Sequence, residues 1–186
     1  LRAIPGLVVL RPGDANEVAE AYRVAMKLTE HPACLVLSRQ PLPTLDRSKY
    51  APASGVARGA YVLADAKGGA PKVILMATGS ELRLCVEAYE KLTAEGVPAR
   101  IVSMPSWELF EQQDEAYRRS VLPPEVTARV SVEQGTTVGW DRYVGPSGTS
   151  IGMHTFGASA PIKDLLTKFG FSPDKVYEAA KAQLEA

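Results

Sequence analysis

The stretch from Lys72 to Gly96 constrains the fold most. Val73-Ile74-Leu75-Met76-Ala77 is a short apolar run with no polar alternation, the pattern of a strand covered on both faces. Thr78-Gly79-Ser80 breaks the run, and the Ser80 hydroxyl is placed to cap a following helix. Leu82, Cys85, Val86, Tyr89 and Leu92 recur at helical spacing, which predicts a buried stripe with Glu81, Arg83, Glu87, Glu90 and Lys91 facing away. Gly96 ends the helix, and Ala99 to Ser103 reads as a second strand. Strand, helix and strand in that order make a βαβ unit with a right-handed connection.

A second such unit lies upstream. Leu7 to Leu10 is an apolar strand, broken by Arg11-Pro12-Gly13, and Asp14 with Glu17 forms a capping box. Val18, Ala21, Tyr22, Ala25 and Leu28 continue as a helical stripe up to His31-Pro32. Cys34 to Leu37 reads as another buried strand, followed by Ser38-Arg39-Gln40. Two strands and one helix cannot close a core alone, so residues 7–38 are a piece of a sheet. From Pro41 to Gly59 three prolines and no apolar period predict an inter-domain linker.

Beyond it, Gly59 to Leu63 opens a new set of strands. A polar helical region spans Ser106 to Val121. Arg129 to Glu133 is a strand, Gly135 to Tyr143 a short helix, and Ile151 to Met153 the last strand. Pro161 to Phe169 and Pro173 to Leu184 are helices with proline in the first turn. The alternation predicts a layered α/β domain from about Arg58 onward.

Charge and composition exclude several partners. The 21 basic and 21 acidic residues cancel, which removes a general electrostatic case for nucleic acid or an anionic membrane. No apolar run approaches the ~20 residues that span a bilayer. The chain begins at Leu1 with no signal-peptide pattern, which points to a piece of a longer protein. Cys34 and Cys85 sit in apolar runs without metal spacing, as buried free thiols of a reducing compartment do. His31 and His154 are too few for a histidine-rich metal site and read as ordinary surface or loop residues.

Ligands of an open parallel sheet bind at the carboxyl ends of its strands. Three polar turns hold that position: Thr78 to Glu81, Met104 to Trp107 and Glu133 to Thr136. The N–H groups at Ser80 and Ser106 could hold an anion, or the two serines are only helix caps. Gly79 alone is no nucleotide fingerprint. Arg39 follows the end of an apolar strand, where a guanidinium suits bidentate recognition of carboxylate or phosphate, or a structural salt bridge. No nucleophile–base pair, paired carboxylates or metal cluster emerges.

The wording of the segments adds more. Ile4-Pro5-Gly6, Arg11-Pro12-Gly13-Asp14, Leu37-Ser38-Arg39-Gln40, Ala57 to Leu63, Ala77-Thr78-Gly79-Ser80-Glu81, Val102 to Ser106 and Phe156 to Pro161 occur in order. Together they closely resemble the C-terminal part of the transketolase family, over nearly the whole chain. The resemblance implies a three-layer α/β/α domain with a mostly parallel, mixed five-stranded sheet, preceded by a partial βαβ unit. Residues 1–45 correspond to the end of the middle, pyrimidine-binding domain, 46–57 to a linker and 58–186 to the C-terminal domain. An intact member transfers a two-carbon ketol unit between sugar phosphates, as a cytoplasmic homodimer using thiamine diphosphate and Mg²⁺ or Ca²⁺. Arg39 matches the family arginine that grips the substrate phosphate. The resemblance puts the cofactor and metal ligands and the catalytic histidines upstream of this chain, so neither His31 nor His154 inherits a role. A stand-alone ligand-binding or regulatory α/β module, or part of a related thiamine enzyme, is the alternative.

Overall fold

A computed structural model describes residues 1–185. Its larger sheet has five strands: β3 (Tyr61–Ala64), β4 (Val73–Ala77), β5 (Ala99–Ser103), β6 (Arg129–Thr136) and β7 (Thr149–Met153). They lie in the order β3-β5-β4-β6-β7, parallel throughout except for β3, which runs antiparallel on one edge. The unalternating apolar run is therefore the central strand. Val73, Leu75 and Ala77 join one apolar cluster, and Ile74 and Met76 join the other across the sheet. Period-two geometry sends successive side chains to opposite faces, so a strand buried on both needs no polar residue.

Helix α2 (Leu82–Ala94) and the C-terminal helix α7 (Pro173–Glu185) cover the first face. Gly96 closes α2 at φ +75°, with Val97 N–H donating to Leu92 O and Gly96 N–H to Thr93 O. This Schellman pattern needs a left-handed residue, which glycine adopts without Cβ strain. The second face holds α3 (Trp107–Glu111), α4 (Glu115–Val121) and α5 (Asp141–Val144), with Trp107 packed edge to face on Trp140 and Tyr143, and Phe110 tilted against Tyr143. The single polar helix expected over 106–121 is thus two, because Asp114 accepts from Tyr117 N–H and starts a new one. The helix expected over 135–143 is also mostly absent. β6 continues to Thr136 through a register shift against β7, leaving only α5. Helix α6 (Ile162–Phe169) lies outside, before α7.

The first unit is β1 (Val8–Leu10), α1 (Ala15–Ala25) and β2 (Ala33–Leu35), with β1 and β2 parallel. Val8, Leu10 and Ala21 enter the same apolar cluster as the larger sheet, so the unit shares its core. Two expectations fail here. β2 is half-buried, and Leu37 beyond it is 47% exposed. On α1 Ala21 is buried and Ala25 and Leu28 pack against the core, but Tyr22 of the same stripe faces solvent. Both surfaces lack a covering element among the described residues.

The segment expected to be a linker is packed. Ala53 and Val56 are buried in a 3-10 turn, and Gly59 at φ +80° backs onto α3 so closely that a Cβ would lie 2.2 Å from Phe110 N. Arg47 spans the gap. It donates to both Asp14 oxygens at 2.8 and 2.9 Å, to Ala51 O at 2.9 Å and to the Tyr61 hydroxyl at 3.1 Å. Polar side chains at the joint thus replace apolar periodicity, which is why the packing left no pattern in the sequence.

Glu17 lies at the centre of this joint, fully buried. The capping box forms, since Asp14 accepts from Glu17 N–H, but the Glu17 carboxylate reaches back one residue further, to Gly13 N–H. Its other oxygen accepts from Tyr61 at 2.6 Å and Ser103 at 2.5 Å. Those two hydroxyls converge because Tyr61 and Ser103 are register partners across the β3–β5 ladder, on one face of the sheet. Burial pushes the Glu17 carboxyl above its usual range, outweighing these donors.

Two outcomes follow for unfolding of the 186-residue chain by urea. Arg47→Ala leaves Asp14, whose side chain is 0% exposed, buried without its counter-charge. The expected loss is about 3–5 kcal/mol, whereas Arg23→Ala, at an exposed pair, should leave the midpoint unchanged. The second concerns pH. A folded carboxyl with raised pKa keeps its proton where the unfolded chain, at about 4.3, has lost it. Its stabilising contribution is therefore full below that value and declines as pH rises through the raised folded pKa. Stability of Glu17→Gln relative to wild type should accordingly improve from pH 4 to 7. A pH-independent difference would show that Glu17 titrates alike in the folded and unfolded chain.

Candidate functional site

Arg39 leaves the end of β2 on an exposed turn. The strand exit is fixed by Val36 N–H donating to Leu10 O at 2.8 Å. The Ser38 hydroxyl then bonds both Gln40 N–H, at 3.1 Å, and Gln40 O, at 3.0 Å. One side chain thus clamps the turn on which Arg39 sits, a local alternative to strand pairing that serine readily supplies. Arg39 makes no salt bridge among the described residues. Its guanidinium is available to a planar oxyanion, for which its fork geometry is suited.

The three polar turns at the carboxyl ends of the strands do converge, but around protein rather than an open ligand crevice. Arg11, just past β1, is inserted among them. Its guanidinium donates to Thr78 Oγ1 at 2.7 Å, to Glu133 Oε1 at 2.5 Å and to Glu81 Oε2 at 3.2 Å. Arg2 donates both to Glu133 Oε1 and to Oε2, at 2.9 and 2.8 Å, while stacking on the Trp107 ring at 3.9 Å. Trp140 Nε1 adds a further donor to Glu133 at 2.7 Å. Burial opposes the charge on Glu133, but Arg2, Arg11 and Trp140 outweigh it and hold its carboxyl below the usual range. Glu81 is completely buried with a longer contact to Arg11, and there burial wins and pushes the carboxyl up.

Several expectations are corrected at this edge. Glu81 does not face away with the outer residues of α2. It precedes the helix in a 3-10 turn and points inward to Arg11 and to Gln134 N–H. Ser80 does not cap α2, because its hydroxyl bonds the Glu81 carboxylate. Ser106 precedes α3, but its hydroxyl goes to Glu108 and its N–H to Gly59 O. Neither serine presents a free anion cradle. Arg11, Glu81 and Glu133 were missed as a group, although the signal was present: a charged residue directly after the apolar run of β1, another directly after the run Val130 to Val132 inside β6, and a glutamate before α2.

A cleft of about 720 Å³ remains beside the network, lined by Arg2, Trp107, Glu111, Glu133 and Arg142 among others. Its mixed charges favour no one ligand class. Cys85 is buried, and burial pushes its thiol up, which removes thiolate chemistry. His31 and His154 are exposed. Among the described residues no group of three or more His, Cys, Asp or Glu is placed to hold a metal ion. The residues present do not fit a metal–diphosphate site, so no chemical step can be assigned to them through such a cofactor. No helix among the described residues is long and apolar enough to cross a membrane.

Comparison with known proteins places this geometry. The family model for the transketolase-like C-terminal domain matches residues 59–172, and that for the transketolase pyrimidine-binding domain matches residues 1–44. Transketolase from Geobacillus stearothermophilus is 49% identical over 184 residues, covering 99% of this chain and 28% of the relative. The structure of transketolase from Leishmania mexicana superposes with a TM-score of 0.90 at 37% identity, covering 100% of this chain and 26% of that one. Pichia stipitis transketolase in complex with sedoheptulose-7-phosphate gives 0.88 at 36% identity, covering 99% and 26%. The chain spans about a quarter of the length of these relatives, and over that span it belongs to the transketolase family.

Proposed function

We propose that this chain is the C-terminal portion of a transketolase that, when intact, moves a two-carbon ketol unit from a ketose phosphate to an aldose phosphate. Residues 1–45 then end the pyrimidine-binding domain, 46–57 connect, and 58–186 form the C-terminal domain. The intact enzyme is a cytoplasmic homodimer that uses thiamine diphosphate with Mg²⁺ or Ca²⁺. The observation that carries the proposal is the ordered match of two transketolase domains along one chain. The phosphorylated sugar in the Pichia stipitis complex supports the substrate class.

Within that enzyme Arg39 holds the phosphate of the sugar, away from the reacting carbon. Its exposed position and the serine-clamped turn support this role. A guanidinium fork meets a phosphate dianion with two parallel charged hydrogen bonds, and it discriminates by charge and bidentate geometry. The isolated chain contributes this grip and a scaffold but no catalytic group.

Two experiments check the proposal. Calorimetry of the isolated chain with thiamine diphosphate and Mg²⁺ should give no heat of binding, and sub-millimolar affinity would overturn the division of labour. In the full-length enzyme, Arg39→Ala should lose roughly ten- to a hundredfold in kcat/KM with phosphorylated donors and acceptors, the equivalent of about 1.5–3 kcal/mol for a charged hydrogen bond. With hydroxypyruvate and a phosphate-free acceptor the loss should be small. Equal losses in both classes would assign Arg39 to the fold rather than to the phosphate.

A further inference from the structure

We infer that Arg11 is a positioning residue for phosphate recognition, fixing through β1 and β2 the place of the turn that carries Arg39. This rests on the phosphate role proposed for Arg39. It gives the C-terminal domain a part in substrate specificity, although that domain supplies no group that touches substrate.

Arg11 is held at both its backbone and its side chain. Its N–H donates to Pro105 O at 2.8 Å, and its carbonyl accepts from Gly79 N–H at 2.9 Å. Its guanidinium reaches Thr78 and Glu81, in the turn after β4, and Glu133, toward the end of β6. Those acceptors are fixed in turn, Glu133 by Trp140 and Arg2, and Glu81 by Gln134 N–H. The residue after β1 is therefore locked to the ends of three strands of the large sheet. Another bond ties β1 itself, from Val9 N–H to Glu108 Oε2 at 3.2 Å.

β2 is held to β1 through the register pairs Val8–Ala33, Val9–Cys34 and Leu10–Leu35. The last bond of that ladder, Val36 N–H to Leu10 O, lies one residue from Arg11 and three from Arg39. Three residues of extended chain span at most about 10 Å, and the Ser38 clamp stiffens the final turn. A shift of Arg11 therefore moves Leu10, then Val36, then the guanidinium of Arg39. Misplacement by about 1 Å can cost up to a hundredfold in a positioned contact. The ordinary alternative is that Arg11 merely neutralises two buried carboxylates, which would lower stability without regard to substrate.

The test uses the full-length enzyme with Arg11→Lys, Thr78→Val, Arg39→Ala and the two double variants with Arg39→Ala. Arg11→Lys keeps the charge but cannot reach three acceptors. It should raise KM for phosphorylated substrates about five- to tenfold, with kcat and the phosphate-free reaction within about twofold. In the Arg39→Ala background the same change should add nothing, because the two act through one contact. Thr78→Val keeps both ion pairs and the fold if Arg11→Lys does not fold. It should show the same pattern at about two- to threefold, and Thr78→Ser should restore KM. Equal losses with both substrate classes, or an effect undiminished by Arg39→Ala, would overturn the inference while leaving the Arg39 role standing. An Arg39→Ala enzyme that does not discriminate between the classes overturns the phosphate role and this inference together.

Discussion

Two carboxylates, Glu81 and Glu133, are buried at the carboxyl ends of the central strands, and Arg11 is the cation they share. A buried charge is tolerated only when paired and fully hydrogen-bonded, and stripping one partner from such a pair costs about 3–5 kcal/mol. Arg11 belongs to the first unit, whereas both glutamates belong to the larger sheet. Undocking that unit would leave Glu81 and Glu133 facing each other without Arg11. The Asp14–Arg47 pair and the Glu17–Tyr61–Ser103 cluster work in the same sense along the other side of the joint. Apolar contact alone would let the two parts slide, but these directional contacts admit one register.

The carboxyl edge of an open parallel sheet is the usual place for a ligand. Here the polar turns at that edge instead bind a neighbouring segment of the same chain, using the features that suit the edge to ligands: exposed amides, turn hydroxyls and carboxylates. Arg11 takes the ligand's place. Arg39, by contrast, is exposed on the turn after β2 rather than in the crevice.

What was legible in the sequence follows from the range of the forces involved. β4 and α2 were readable because burial on two faces and on a helical stripe leaves local periodic marks, and Gly96 marks its own turn. Glu81 was misread because a helical wheel cannot register a 3-10 turn or a partner 70 residues away in Arg11. The packing of the 46–57 segment, read as an inter-domain linker, left no mark in the sequence because the Arg47–Asp14 pair is long-range and not periodic. Tyr22 and Leu37 were placed inside by pattern, yet nothing among the described residues covers them. Arg39 could be singled out from its position after a strand, but only the family resemblance favoured a phosphate over an ion pair as its partner.

Native-state hydrogen exchange tests most directly whether the ionic joint makes the first unit and the large sheet one cooperative body. The amides to follow are Arg11, bonded to Pro105 O, and Val36, bonded to Leu10 O, against Ile74 in the central strand, bonded to Ala128 O. The account expects Arg11 and Val36 to exchange only through the same global opening as Ile74, with equal free energies and equal sensitivity to denaturant. Exchange of Arg11 and Val36 through a low-energy opening, while Ile74 stays protected, would contradict it.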